Sequence, residues 1–223
     1  SRAAIMSAAS RATSQRTAMI LGAGRLLDVP LAELAHRFAK VVLVDTVLPL
    51  PTRWAARRFP HVELRAGDVT GTLAALHRLR PGDALPSPQP FRRLRDDGVD
   101  LVVPLNILSQ LGVLPVEWIE KRAGPPGPAM AEAYAADLTR AHLAELARCP
   151  AHVCLIADVD WWRQKPDGTI VERASTVYEV LAPPAVEEWV WAIAPAPESD
   201  PLLSEYRRVI VARDPGKPIQ RGG

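Results

Sequence analysis

The stretch that most limits what this chain can become runs from Ala18 to Asp45 and reads AMILGAGRLLDVPLAELAHRFAKVVLVD. An apolar run, Ala18 to Leu21, meets a glycine turn at Gly22-Ala23-Gly24. A segment of helical period follows, with Leu31, Leu34, Ala35 and Phe38 on one face. A second apolar run, Val41 to Val44, then ends on Asp45. Strand, tight turn, helix, strand and acid in that order form the pattern of a nucleotide-binding βαβ unit. The glycines let the backbone pass close beneath a ligand, because no Cβ stands in the way. A carboxylate closing the second strand can accept hydrogen bonds from two ribose hydroxyls.

The 223 residues suffice for one α/β domain with a sizeable core, and no repeat or domain boundary interrupts them. The expected organisation is a single domain over 1–223: an N-terminal helix (1–16), a nucleotide-binding core (17–158) and C-terminal antiparallel strands (159–223). Charge is nearly balanced, with 27 basic and 25 acidic residues, so electrostatics do not demand a nucleic acid partner. Cys149 and Cys154, alone and separated by five positions, suggest a reduced cytoplasmic protein more than a disulfide scaffold or a zinc site. No apolar run reaches membrane-spanning length. The opening segment is rich in Arg, Ser and Ala, with Ile5, Ala8, Ala9 and Ala12 available to pack. A packing helix is favoured there over a transit peptide.

Further along, Asp28 is placed to cap a helix that carries Pro30 in its first turn. A short helix lies between Pro51 and Pro60, a brief strand over 62–64, and a helix over 73–80. Four prolines between Pro81 and Pro90 make a stiff excursion. A fourth strand, Val99 to Val103, leads into Pro104-Leu105-Asn106-Ile107-Leu108-Ser109-Gln110-Leu111. A helical stretch with Trp118, a stiff connector at 124–128 and a long helix over 130–148 follow. A fifth strand, His152 to Ala157, ends at Asp158, and PDG at 166–168 is a tight turn. Two last strands, 188–194 and 206–212, are joined by a loop too short for a crossover and should pair antiparallel. The expected fold is α/β, a three-layer sandwich around a seven-stranded, mostly parallel sheet with a C-terminal antiparallel hairpin.

This order of parts resembles the class I S-adenosylmethionine-dependent methyltransferases over nearly the whole chain. Gly22 and Gly24 of LGAGRLLD match that family's glycine loop, which holds the methionine end of the cofactor. Asp45 of VVLVD matches its ribose-binding acid, and Asp68 of AGDV its acid near the adenine. Asn106 stands where residues after the fourth strand line cofactor and substrate, and WVWAIA with YRRVIVA matches the closing hairpin. The resemblance implies a cofactor site at Gly22, Ala23, Gly24, Asp45, Asp68, Val69 and Asn106, with S-adenosylmethionine as cofactor and a small-molecule substrate. Two positions depart from the family pattern. Ile20 occupies the place of a frequent acid two residues before the first glycine. The paired-proline motif of amino-methylating members is absent after Asn106, which disfavours methylation of DNA bases.

Each candidate has a plainer reading. Asp68 could cap the helix near Thr72, and Asn106 the helix after it. Asp158 and Asp160 of ADVDWW are the candidate catalytic residues, placed to act as a base or to orient a substrate group, against the commoner solvated loop acid. Trp161 and Trp162 could stack on a planar substrate or cover the sheet edge, while Trp189 and Trp191 read as packing. The five histidines show no metal-ligand spacing, and His142 reads as a satisfied interior residue. Arg92, Arg93 and Arg95 read as a solvated face. The expected function is therefore a methyltransferase using S-adenosylmethionine, without metal or membrane, and the charge leans away from long nucleic acids. The alternatives are a catalytically silent methyltransferase-like binding protein and, third, a nicotinamide-dependent oxidoreductase. The last is opposed by the missing third glycine, since Leu27 would crowd a pyrophosphate.

Overall fold

The computed structural model describes residues 1–89, 91–96, 98–122, 128–196 and 200–216. The connector expected at 124–128 falls, except for its last residue, outside them. Helix α1 (Arg2–Arg11) precedes β1 (Thr17–Leu21), α2 (Leu31–Arg37), β2 (Lys40–Asp45), α3 (Leu50–Ala56), β3 (Val62–Ala66) and the single turn α4 (Leu73–Leu76). Then come β4 (Val99–Pro104), α5 (Val113–Arg122), α6 (Pro128–Ala147), β5 (His152–Gln164), β6 (Ile170–Ser175), β7 (Glu187–Ala194) and β8 (Ser204–Arg213). The sheet order is β3-β2-β1-β4-β5-β8-β7, with β6 paired to β5 outside that path. Pairing is parallel from β3 through β5 and antiparallel for β5 with β8, β8 with β7, and β5 with β6.

Continuous apolar runs in β1, β2 and β4 suit strands covered on both faces, and two cores lie against those faces. One gathers Met19, Leu21, Val42, Val44 and Val102 with Leu138 and Leu146 of α6. The other gathers Ile20, Val41, Leu43 and Val103 with Ile5 and Ala8 of α1 and Leu34 of α2. The opening segment is thus a packed helix with Ile5, Ala8 and Ala9 buried. The three-layer, mostly parallel architecture with a closing antiparallel pair is as expected from the sequence.

Several local expectations are corrected. Among the described residues the sheet has eight strands, not seven, because β5 does not stop at Asp158. It continues to Gln164 and turns back through Pro166-Asp167-Gly168 into β6, and the Gly168 and Thr169 N–H groups are bonded within that turn. The signal for β6 was present: a P-D-G turn flanked by β-branched residues is a hairpin pattern. Asp28 caps nothing, since α2 begins only at Leu31 and no side chain caps it. The helix expected over 73–80 is a single turn. Trp189 packs on the second core, but Trp191 is 43% exposed. His142 is buried, yet its Nε2 has no hydrogen-bond partner among the described residues, so it is not the satisfied residue expected. Burial lowers its pKa from 6.5 to about 4. Cys149 and Cys154 are both buried and not bonded to each other, and burial pushes the Cys154 thiol up to about 11.

Candidate functional site

Open parallel sheets bind ligands beyond the carboxyl ends of their strands, where the strand order reverses. Here that reversal lies between β1 and β4. A cavity of about 260 Å³ opens there, floored by residues following β1, β2 and β3 and walled by the segment after β4. Gly22, Gly24, Asp45, Asp68 and Val69 line it, so five of the seven expected cofactor residues meet in one place.

The glycine turn is held from three sides. The Gly22 and Ala23 N–H groups donate to the Val44 carbonyl at 2.9 and 3.3 Å. Gly22 has φ +78°, and a Cβ there would stand 2.7 Å from the Leu105 carbonyl oxygen, so the neighbouring strand itself requires glycine. Gly24 differs: its φ is +48°, but a Cβ would meet no atom of the described residues within 4 Å. Its backbone is bare toward open space. The Gly24 carbonyl accepts from Thr52 Oγ1 of α3 at 2.5 Å, a contact by a fully buried side chain that the sequence reading missed. Its only sequence signal is a lone threonine among LPLPTRWAA. Ala23 turns inward into the second core and does not line the cavity.

Asp45 and the glycine loop form one unit. Asp45 Oδ2 accepts from the Gly24 N–H at 2.8 Å, while Oδ1 takes longer bonds from Val47 N–H (3.2 Å) and Thr46 Oγ1 (3.4 Å). The carboxylate stays half-buried at the cavity surface, and with two donors on Oδ1 and one on Oδ2 its remaining lone-pair capacity is on Oδ2. Asp68 does cap: Oδ2 accepts from the Leu73 N–H opening α4 at 2.8 Å, and Oδ1 from the Thr70 N–H and hydroxyl at 2.8 and 2.6 Å. The facing wall is apolar, with Ile107, Leu111, Val113 and Leu114, and Gln110 adds the one amide. Ser109 and Gln110 stand out in the sequence as polar breaks in an apolar run, whereas the apolar partners beside them carry no signal separable from core.

The remaining candidates stand away from the cavity. Asn106 is in the left-handed region at φ +50°, with its N–H bonded to the Ile156 carbonyl at 2.8 Å. Its Oδ1 is buried and has no partner among the described residues. Asp158 and Asp160 are strand residues of β5, not loop acids. Asp158 is buried, with Oδ1 accepting from Ser109 Oγ and Oδ2 from Arg207 Nη1, each at 2.5 Å. Asp160 is paired with Arg208 at 2.9 Å and Arg173 at 3.2 Å. Trp162 stacks on Tyr206, and the Arg163 guanidinium lies over the Trp161 ring. Arg93 and Arg95 pair with Asp96 and Glu145. Among the described residues no cluster of three or more His, Cys, Asp or Glu is placed to hold a metal, and no helix is long and apolar enough to cross a membrane.

No family model matches the chain, and no curated protein matches its sequence. Solved structures do. The N-methyltransferase NodS of Bradyrhizobium japonicum is similar at 13% identity, covering 91% of each chain, with a TM-score of 0.42. The YcgJ protein of Bacillus subtilis is similar at 11% identity over 95% of this chain and 97% of its own, with a TM-score of 0.49. A Burkholderia thailandensis 1,6-didemethyltoxoflavin-N1-methyltransferase, with S-adenosylhomocysteine bound, is similar at 15% identity over 94% and 78%, with a TM-score of 0.39. These likenesses concern the fold alone. The strand order and the closing antiparallel pair make that fold class I methyltransferase-like.

Proposed function

We propose that this protein is a methyltransferase that binds S-adenosylmethionine in the cavity between β1 and β4 and acts on a small-molecule substrate. The observation that carries the reading is the bare backbone of Gly24 beside the half-buried Asp45 carboxylate, facing an apolar wall. Such a surface suits a nucleoside. Asp45 Oδ2 would take a ribose hydroxyl, Ile107, Leu111 and Val69 would flank the adenine, and Gly22 to Gly24 would pass beneath the amino-acid end. Asp68 would act through the shape of the Asp68–Thr70 turn, which its bonds to Thr70 and to the Leu73 N–H close. A volume of about 260 Å³ lies just under the roughly 300–1,000 Å³ usual for small-molecule sites. A nucleoside would be enclosed and the rest of the ligand would lie along the mouth.

When bound, the cofactor supplies an electrophilic methyl group on a sulfonium sulfur. The chain's own residues then have to align the acceptor and exclude water, which requires little covalent chemistry. Asp158 and Asp160 are not proposed as bases, because Arg and Ser donors occupy them. That same observation favours a second reading, a cofactor-binding protein without catalysis.

The test is calorimetric titration with S-adenosylhomocysteine on the parent, Asp45→Ala and Gly24→Val. Micromolar binding by the parent, lost in both variants with thermal unfolding still cooperative, is expected. A parent that does not bind ends the proposal. Transfer of labelled methyl to any of a panel of small acceptors then separates the enzyme from the silent binder.

A further inference from the structure

One wall of the cavity is not held by the parallel sheet. It is the segment 107–115, which leaves β4 at the left-handed Asn106 and contributes Ile107, Gln110, Leu111 and Leu114 to the lining. Its Leu108 and Leu111 join the core and Gly112 abuts Ala135 of α6, while its side-chain hydrogen bond beyond its own segment runs to the antiparallel strands. Asp158, 4% exposed, joins Ser109 of this wall to Arg207 of β8 through its two oxygens. Its carbonyl accepts from Thr176 Oγ1 at 2.7 Å, which pins the loop after β6 to the same point. Two residues further, Tyr178 and Glu179 are both left-handed, at φ +54° and +58°. Tyr178 is laid against Gly112, where a Cβ would stand 2.6 Å from the Tyr178 hydroxyl. Ser109 and Gly112, the two residues so touched, flank Gln110 and Leu111.

We infer that Asp158 is a positioning residue: through Ser109 it fixes the 107–115 wall, so that the antiparallel strands set the shape of the cavity. The cofactor half of this inference rests on the function proposed above. The positioning half does not.

The charge of Asp158 is balanced by Arg207, and Ser109 supplies a neutral donor on the other oxygen. Losing that donor leaves the ion pair in place, so Ser109→Ala should fold while its wall loses the tie. Hydrogen bonds to charged groups are among the stronger ones. In Asp158→Asn one side-chain oxygen remains to accept from Ser109, but the partner of Arg207 is neutral.

Two measurements on the full chain test this. Amide hydrogen exchange on the ligand-free protein should accelerate roughly tenfold over 108–116 in Ser109→Ala, with the amides of β1 and β2 unchanged. Affinity for S-adenosylhomocysteine should fall by a similar factor, and the double variant Ser109→Ala/Asp158→Asn should lose less than the sum of the singles. A merely structural contact would raise exchange throughout the molecule or leave 108–116 as in the parent, and either result overturns the inference. If exchange responds locally but the parent binds no S-adenosylhomocysteine, the positioning stands and the functional proposal falls. Should Asp158→Asn fail to fold, the exchange pattern of Ser109→Ala alone decides.

Discussion

In the parallel half of the sheet, β1, β2 and β4 are buried along nearly their whole length and covered by helices on both faces. In the antiparallel half, β6 and β7 are exposed on both faces, and Arg-to-acid pairs run across the strands: Arg207–Asp158, Arg208–Asp160, Arg173–Asp160, Arg208–Glu188 and Arg213–Glu187. The parallel strands, with the inner antiparallel pair through Leu155, Ile156 and Val209 to Ala212, are held by removal of apolar surface from water. The outer strands β6 and β7 are held by their hydrogen-bond ladder and cross-strand pairs, each worth little when exposed. The difference teaches where sensitivity should sit. The floor of the cavity belongs to the buried parallel strands, and its facing wall is tied through Ser109 to the Asp158–Arg207 pair of the antiparallel strands.

The sharpest way to break that comparison is a matched truncation. Ile20→Ala, in a fully buried strand position, should lose about 4 kcal/mol in urea unfolding, whereas Val190→Ala on β7 should stay within about 0.5 kcal/mol. Equal losses would mean that the antiparallel strands are covered by something else.

Next in size is a pH effect confined to the helix side of the buried core. His142 has a pKa near 4 in the folded protein because burial disfavours the imidazolium, against 6.5 for the free side chain. Between those values the unfolded chain binds a proton that the folded chain does not. Stability is therefore complete above pH 6.5 and falls as pH drops toward 4, by roughly 3 kcal/mol from this group. His142→Phe should flatten that part of the unfolding profile, and an unchanged slope would locate the acid sensitivity elsewhere.

Arg207→Met comes third. It leaves the buried Asp158 carboxylate without its cation and should cost about 2 kcal/mol, below the value for a fully buried pair because the guanidinium is 29% exposed. The smallest effect is expected for Arg163→Ala, whose pair with Glu172 is 39% and 53% exposed, at under about 0.5 kcal/mol. Were these two to cost the same, the inward turn of Asp158 would carry no energetic weight.

The legibility of the sequence followed the same division. Burial on both faces writes itself into composition, so AMIL, VVLVD and LVV announced strands, and the glycines between the first two marked the cavity floor. The last pair of strands was legible because no crossover could fit between them. The β6 strand was legible only through the P-D-G turn before it: the strand itself is short and exposed on both faces, and IVERAS by composition differs little from a loop. Asp158 looked like a strand-end acid because the apolar pattern of β5 stops there, although its ladder of backbone bonds does not.

What the sequence by itself determined is the parallel core, the glycine turn and the end of the sheet at which a ligand would lie, since these rest on contacts between near neighbours and on hydrophobic period. Only the tertiary structure decided that Asp45 reaches Gly24, that Thr52 braces the same glycine, and that Asp158 faces Ser109 and Arg207 inside the protein. Those partners are 21 to 49 positions apart in the chain. A carboxylate's role depends on which donors the fold brings within about 3 Å of it, and local patterning does not encode that.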